Sequence, residues 1–192
     1  MIQIFKTVEG SLQILNEITE GCWIAMTNPS AAELLDVSEK TNIELNHLRA
    51  PLDEEERARI EVEENYTVIV VDIPTIEKGH DMERYVTIPL GIIVAENLLI
   101  TVCLEETPIL KVFMDGRIRD FYTFKKSRFI LQILYKNAST FLQNLRTIDI
   151  KSGEIERKLH ISTQNRELIE LFDLQKSLVY FTTSLRSNEV VF

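Results

Sequence analysis

The pattern of apolar and polar residues changes near residue 124. Before that point, short β-branched runs alternate with polar turns, which is typical of strands. The predicted strands cover residues 2–5, 22–26, 59–63, 66–73, 84–95 and 98–104. Only Glu96 and Asn97 separate the last two runs, so the sequence predicts a hairpin there.

Helix signals interrupt these strands. Ser30 with Glu33 three residues later forms a capping box, which predicts a helix over about residues 31–40. Thr107 followed by Pro108 predicts a second helix that ends near Gly116. Two shorter helical segments are also predicted, one capped by Thr41 or Asn42 and running through Leu48, the other opened by Asp53–Glu56 after Pro51.

After Thr123 the pattern is helical to the end. A seam with spacings of four and three predicts one helix over about residues 126–160. Its members are Leu134, Ala138, Phe141, Leu145, Ile148, Ser152, Ile155 and Leu159. After a turn at 162–165, a second helix is predicted to run to about Glu189, with Leu168, Leu171, Leu178 and Leu185 on one side. The two helices should pair as an antiparallel hairpin.

Composition narrows the function classes. The 192 residues carry 21 Lys and Arg against 30 Asp and Glu, a net charge of −9, which argues against nucleic acid or an anionic membrane as the main partner. Polar residues and a proline break the longest apolar run, residues 88–104, so no membrane span is predicted. Cys22 and Cys103 lie in apolar runs and are expected to be buried thiols in a cytosolic chain.

Little in the sequence indicates catalysis. It contains no glycine-rich phosphate loop, CxxC, HExxH or GxSxG pattern, and His47, His80 and His160 lie on different predicted elements. An acid–base enzyme using Glu61 or Asp72 is disfavoured, because strand alternation is expected to place Glu61 on the exposed face. We therefore predict a protein that is not an enzyme, with no catalytic residue and no metal ligand assigned.

Two charge clusters and the last residues leave questions open. The acidic run Asp53–Glu56 either attracts a divalent cation or, as we favour, complements the positive end of a helix. The stretch from Lys111 to Arg128 has six basic and two acidic residues, and it is either solvated or faces an acidic surface of another copy. Residues 187–192 carry no helix stop signal, so we expect the sequence to continue in a longer parent.

Several segments, in this order and spacing, resemble the CorA-type divalent cation transporters. Trp23–Ser30 with the following Glu33-Leu34-Leu35 is similar to the start of that family. The stretch 48–74 resembles the family through Arg57, Arg59, Glu61, Asn65 and Tyr66, and further similarity is found in 86–93, 98–102, the Thr107-Pro108 helix and 182–188. The resemblance covers essentially the whole chain, but the Gly-Met-Asn motif and both membrane helices of the family are absent.

The resemblance implies a fold and a function. The fold would be α/β, an αβα sandwich with a mixed, largely antiparallel sheet over about residues 1–124, then a long antiparallel helical hairpin over about 125–192. The chain would be one cytoplasmic domain at the cell membrane, attached to the membrane only through further C-terminal helices. The parent would be a homopentamer that moves Mg²⁺, and often Co²⁺ or Ni²⁺, and whose pore is controlled through contacts between subunits. Divalent ions would be cargo and partners, with none tightly bound to this chain.

The sequence departs from the family at the positions expected to bind a regulatory ion. Leu48-Arg49-Ala50 stands where the family often has Leu-Glu-Asp, and a second family acid falls near Lys136. Arg49 and Lys136 are therefore hypothesised to replace the ion with fixed charge paired to acids of the next subunit, unless an ion binds near Asp53. Two alternatives remain, the zinc-exporting branch of the family and a cytosolic scaffold whose hairpin binds a partner helix.

Overall fold

The strands and helices follow the predicted order in a computed structural model, which describes residues 1–78, 83–161 and 165–192. The strands are β1 Ile2–Val8, β2 Ser11–Leu15, β3 Cys22–Thr27, β4 Arg59–Val62, β5 Tyr66–Lys78, β6 Glu83–Ala95 and β7 Leu98–Cys103. The helices are α1 Ala31–Thr41, α2 Leu45–Arg49, α3 Pro108–Met114, α4 Lys126–Ile161 and α5 Asn165–Asn188, with a 3₁₀ turn at Ala50–Leu52. Most of the interhelical turn predicted at 162–165 lies outside the described residues, as do residues 79–82, which include His80.

The seven strands form one sheet in the order β2-β1-β3-β7-β6-β5-β4. All neighbours are antiparallel except β3 and β7, so the predicted mixed, largely antiparallel sheet and the β6–β7 hairpin are confirmed. Strand β2 was not predicted. It pairs with β1 through a tight turn in which Glu9 and Gly10 have positive φ angles of 50° and 81°, and its side chains remain largely exposed, so it lacks the apolar signal of a core strand.

Each face of the sheet carries its own hydrophobic core. Helix α3 and the start of α4 cover one face, where Trp23 packs 4.9 Å from Phe5 and 4.9 Å from Phe129 between ring centroids. Helices α1 and α2 cover the other face. Gly91 of β6 lies so close to Pro51 that a Cβ atom there would come 2.2 Å from the proline Cγ. The sheet therefore requires glycine at this position.

Two predicted helix starts are wrong. Asn42 ends α1 in the left-handed conformation, with φ 56° and ψ 28°, instead of capping the next helix, and α2 begins only at Leu45. The run Asp53–Glu56 forms a turn and not a helix. The Asp53 carboxylate accepts a hydrogen bond from the Glu55 amide at 3.0 Å, a local bond by which aspartate competes with helix formation.

The long helical hairpin is confirmed, but its predicted contact faces are only partly right. Phe141, Ile148 and Ile155 of α4 are buried, together with Leu174 and Phe181 of α5. Four predicted seam residues are exposed instead. They are Ala138 on α4, and Leu168, Leu178 and Leu185 on α5, which are 44%, 42% and 37% exposed. The buried face of α5 includes the polar residues Ser177, Ser184 and Asn188, which the search for a leucine repeat did not identify.

Candidate regulatory surfaces and family membership

Arg49 is an exposed residue at the end of α2, on the rim of a surface cavity. The cavity has a volume of about 760 Å³ and its other lining residues include Asn46, Leu52 and the acidic turn 53–56. Arg49 makes no ion pair among the described residues. The cavity therefore brings Arg49 and Asp53, two of the three predicted site residues, to one surface.

Asp53 contributes to the geometry of its own turn. Its carboxylate accepts the Glu55 amide, and its carbonyl accepts the Glu56 amide at 3.1 Å. Asp53, Glu54 and Glu55 are exposed. Glu56 instead contacts Arg59, with 2.5 Å between Oε1 and the guanidinium nitrogen.

Lys136, the third predicted site residue, lies on α4. The preceding turns of this helix pack on the sheet face opposite the one that α2 covers. The side chain is half-buried, and the next residue, Asn137, is fully buried and donates from Nδ2 to the Asp72 carbonyl at 2.9 Å. Lys136 is therefore not at the Arg49 cavity within one chain.

A histidine network that the sequence reasoning missed lies beside α2. His47 Nδ1 is 2.9 Å from the Tyr66 hydroxyl, and His47 Nε2 is 3.6 Å from Glu61 Oε2. Arg59 Nε contacts the other Glu61 oxygen at 2.9 Å. Glu61 therefore points toward α2, and the predicted exposed position on the outer face is wrong. Ile60 and Val62 occupy that outer face, at 45% and 79% exposure.

The strand pairing register explains why Glu61 points toward α2 while Ile60 and Val62 are exposed. Glu61 lies opposite Val68 and Ile60 opposite Ile69, so alternation on β4 is fixed by β5 rather than by which residues are apolar. The partners of Glu61 on the face covered by α2 are His47 and Arg59. His47 comes from α2, so the sequence of β4 alone does not reveal it.

Helix α5 is held to the sheet by hydrogen bonds. Asn188 accepts from the Asp72 amide at 2.8 Å and donates to the Asp72 carbonyl at 2.9 Å. Ser184 contacts the Thr87 hydroxyl at 2.7 Å, and the Tyr85 amide donates to Ser177 at 3.2 Å. Ser184 and Asn188 lie in the segment that carries the C-terminal part of the resemblance. Their role is to fix the last turns of α5 on β5 and β6.

Asp72 and Glu61 do not form an acid–base pair. Glu61 belongs to the network with His47, whereas the Asp72 carboxyl contacts Ser184 on α5. Burial raises the pKa of the Asp72 carboxyl, and the hydrogen bond from Ser184 opposes that shift. Their separate partners give each carboxylate a structural role.

Both cysteines are free and buried, as predicted. Burial raises the pKa of both thiols, that of Cys103 to about 11. The Cys103 thiol donates to the Pro89 carbonyl at 3.8 Å. Neither thiol is therefore placed to act as a nucleophile at neutral pH.

Metal-ligating side chains do not converge within the described ranges. Across residues 1–78, 83–161 and 165–192, no group of three or more histidine, cysteine, aspartate or glutamate side chains has a geometry that could hold a metal ion. Over the same residues, no helix is both long enough and apolar enough to cross a membrane.

Comparison with known proteins identifies the family. The profile of the family described as CorA-like Mg²⁺ transporter protein matches residues 19–192. The chain is also 30% identical over 179 residues to the cobalt/magnesium transport protein CorA of Methanocaldococcus jannaschii, a match that covers 88% of this chain and 53% of that protein. It therefore spans about half the length of this curated relative.

Solved structures agree with this assignment. The soluble domain of CorA from M. jannaschii superposes with a TM-score of 0.84 at 26% identity, covering 98% of this chain and 76% of that one. The cytoplasmic domain of ZntB from Vibrio parahaemolyticus gives a TM-score of 0.72 at 10% identity, covering 96% and 74%, which shows a shared fold alone. The chain belongs to the CorA-like Mg²⁺ transporter family, and its α/β fold is that of the CorA soluble domain.

Proposed function

We propose that this chain is the cytoplasmic regulatory domain of a transporter that moves Mg²⁺, and also Co²⁺ or Ni²⁺, across the cell membrane. The observation that carries the proposal is the family match, which extends over residues 19–192 and is accompanied by the same fold throughout. In this proposal residues 1–192 act as one domain, with a sandwich over about 1–124 and a hairpin over about 125–192. Its role is to control the pore through contacts between copies, and it performs no catalysis.

Arg49, Lys136 and Asp53 are the residues proposed to act between copies. Arg49 is exposed beside the acidic turn and Lys136 lies on another element, and neither side chain forms an ion pair among the described residues. Fixed positive charge on one copy would attract acids of its neighbour, as a bridging cation does elsewhere in the family. The proposed assembly is a homopentamer.

Magnesium is favoured over zinc as cargo by the degree of similarity. Identity to the cobalt/magnesium protein is 30%, whereas identity to the ZntB domain is 10%. Zinc export remains the second candidate because the ZntB domain shares the fold.

The test begins with the reading frame of the gene beyond Phe192. The proposal expects a long helix followed by an apolar span that ends in Gly-Met-Asn. The protein encoded by the whole frame should restore growth of a Mg²⁺-uptake-deficient strain at low Mg²⁺. A frame without apolar spans would contradict the proposal, as would growth that depends on high Mg²⁺ despite normal expression at the membrane.

A further inference from the structure

One face of α4 presents apolar side chains to solvent. Leu131, Tyr135 and Leu142 are 67%, 76% and 50% exposed, and Ala138 between them is exposed as well. Their spacings of four, three and four residues place them on one side of the helix. This seam is distinct from the buried one through Phe141, and it continues for about three turns.

The same part of α4 carries only positive charge. Residues 121–148 contain no aspartate or glutamate, although the whole chain has a net charge of −9. Arg128 and Arg146 flank the apolar seam. Arg128 has one exposed contact, 3.6 Å from Asp120, and Arg146 makes no ion pair among the described residues. We call Arg128, Leu131, Tyr135, Ala138, Leu142 and Arg146 the basic stripe.

The last strand of the sheet has the opposite character. Strand β4 is terminal in the strand order, and Ile60 and Val62 are exposed on it. The exposed acids Asp53, Glu54, Glu55, Glu63 and Glu64 precede and follow the strand. We call residues 53–64 the acidic edge. An uncovered apolar edge strand invites pairing with other chains, so a protein benefits from covering it.

We propose that the basic stripe of one copy docks on the acidic edge of a second copy. Each surface combines exposed apolar side chains with a net charge of one sign, and the two signs are opposite. The acidic edge has seven acids against Arg57 and Arg59. Two basic stripes repel each other, as do two acidic edges, so contact between unlike surfaces is favoured. Such a head-to-tail contact can repeat around a closed ring. The inference rests on the proposed function for the presence of several copies in one assembly, and it names the surfaces through which they meet.

Disulfide trapping tests the contact directly. The native Cys22 and Cys103 are fully buried, so introduced surface thiols report without interference. A chain with Val62→Cys is mixed with a chain that carries Tyr135→Cys under mild oxidation. The matched control replaces Tyr135→Cys by Ile150→Cys, a residue 62% exposed further along α4.

The proposal expects a mixed dimer from the Val62 and Tyr135 variants, and little from the Val62 and Ile150 variants. Charge reversal of the stripe, Arg128→Glu with Arg146→Glu, should lower the yield by about tenfold. Adding Glu55→Lys and Glu64→Lys to the Val62→Cys partner should restore it. If the arginines acted only in folding, changes on the other chain would not restore the yield of the mixed dimer.

Several results would overturn the docking. These are no mixed dimer, equal yields with Ile150→Cys, or predominant Val62–Val62 dimers, which would indicate pairing between edge strands. Sedimentation velocity of the unmodified chain measures whether copies associate at all. It therefore distinguishes a wrong choice of docking surfaces from a wrong proposed function. Association without the predicted crosslink rejects the two surfaces, while growth at low Mg²⁺ tests transport independently.

Discussion

The sheet and the helical hairpin bury their surfaces by different means. On the sheet, Trp23 and Phe5 form an aromatic core with Phe129 from the start of α4, and nearly every buried side chain of β7 is apolar. Helix α5 buries Leu174 and Phe181, but it also buries the polar residues Ser184 and Asn188 and leaves several leucines at the surface. Burial of apolar area is non-directional, whereas hydrogen bonds fix position. The difference suggests that the sheet supplies most of the stability and the polar contacts set where the hairpin lies.

The largest expected effect is in the aromatic core. Trp23→Ala removes a fully buried ring and the hydrogen bond from Nε1 to Thr101 Oγ1 at 2.9 Å. We expect a loss of about 3–5 kcal/mol in the free energy of unfolding, measured by urea titration. A loss below about 1 kcal/mol would show that this core is not the main source of stability.

The polar docking of α5 gives the next effect. Asn188→Ala leaves the Asp72 amide without its partner and removes one of two donors to the Asp72 carbonyl. We expect a loss of about 1–3 kcal/mol, because buried polar groups are costly to leave unpaired. The control is Leu185→Ala on the same helix, where the side chain is 37% exposed and a small change is expected. A larger loss for Leu185→Ala than for Asn188→Ala would reverse the proposed contrast.

A pair of glycines compares close packing in the two regions. Gly91→Ala places a Cβ against Pro51 and should cost about 1–3 kcal/mol. Gly153→Ala on α4 has nothing within 4 Å, so the better helix propensity of alanine should stabilise the chain by about 0.5–1 kcal/mol. Thermal unfolding should show a lower melting temperature for Gly91→Ala and a higher one for Gly153→Ala than for the unmodified chain. Equal effects would mean that the contact with Pro51 relaxes freely.

Sequence reasoning succeeded where one residue type dominates one face. It found α1 from its capping box, α3 from Thr107 and Pro108, and the sheet from β-branched runs. It missed β2 because the strand is mostly exposed. It misplaced Glu61 because pairing register, and not polarity, decides which way that side chain points. It selected the leucine face of α5 as the buried one, because a buried serine or asparagine can be recognised only together with its hydrogen-bond partner, here on β5 or β6.

The same limit applies to the candidate site. The departures at Arg49 and Lys136 were readable from the sequence. Asp53 was also chosen as a candidate from the sequence, but the helix predicted to begin at Asp53–Glu56 is a turn in the structure. The His47 network was not, because its members come from α2, β4 and β5. The exposed apolar seam on α4 was also missed. By spacing alone, Ala138 belongs equally well to this seam and to the buried one, and only the structure shows that it is exposed.

The last expected effect depends on pH. Burial raises the pKa of the Cys103 thiol to about 11 from its ordinary value of 9.0, which means that the folded protein holds this proton more tightly. The contribution to stability is therefore complete below pH 9 and is lost as pH rises through about 11. Unfolding free energies of the unmodified chain and of Cys103→Ala should converge over that range. A constant difference between them would contradict the assigned shift.

Ion flux through the protein encoded by the whole reading frame tests the central claim most directly. Reconstituted in vesicles that contain a Mg²⁺-sensitive dye, it should admit Mg²⁺ down its gradient, and Mg²⁺ on the side of this domain should change the rate. Arg128→Glu with Arg146→Glu should alter that response while the pore sequence stays unchanged. Zinc movement without Mg²⁺ movement, or no flux from protein that is correctly inserted, would contradict the account.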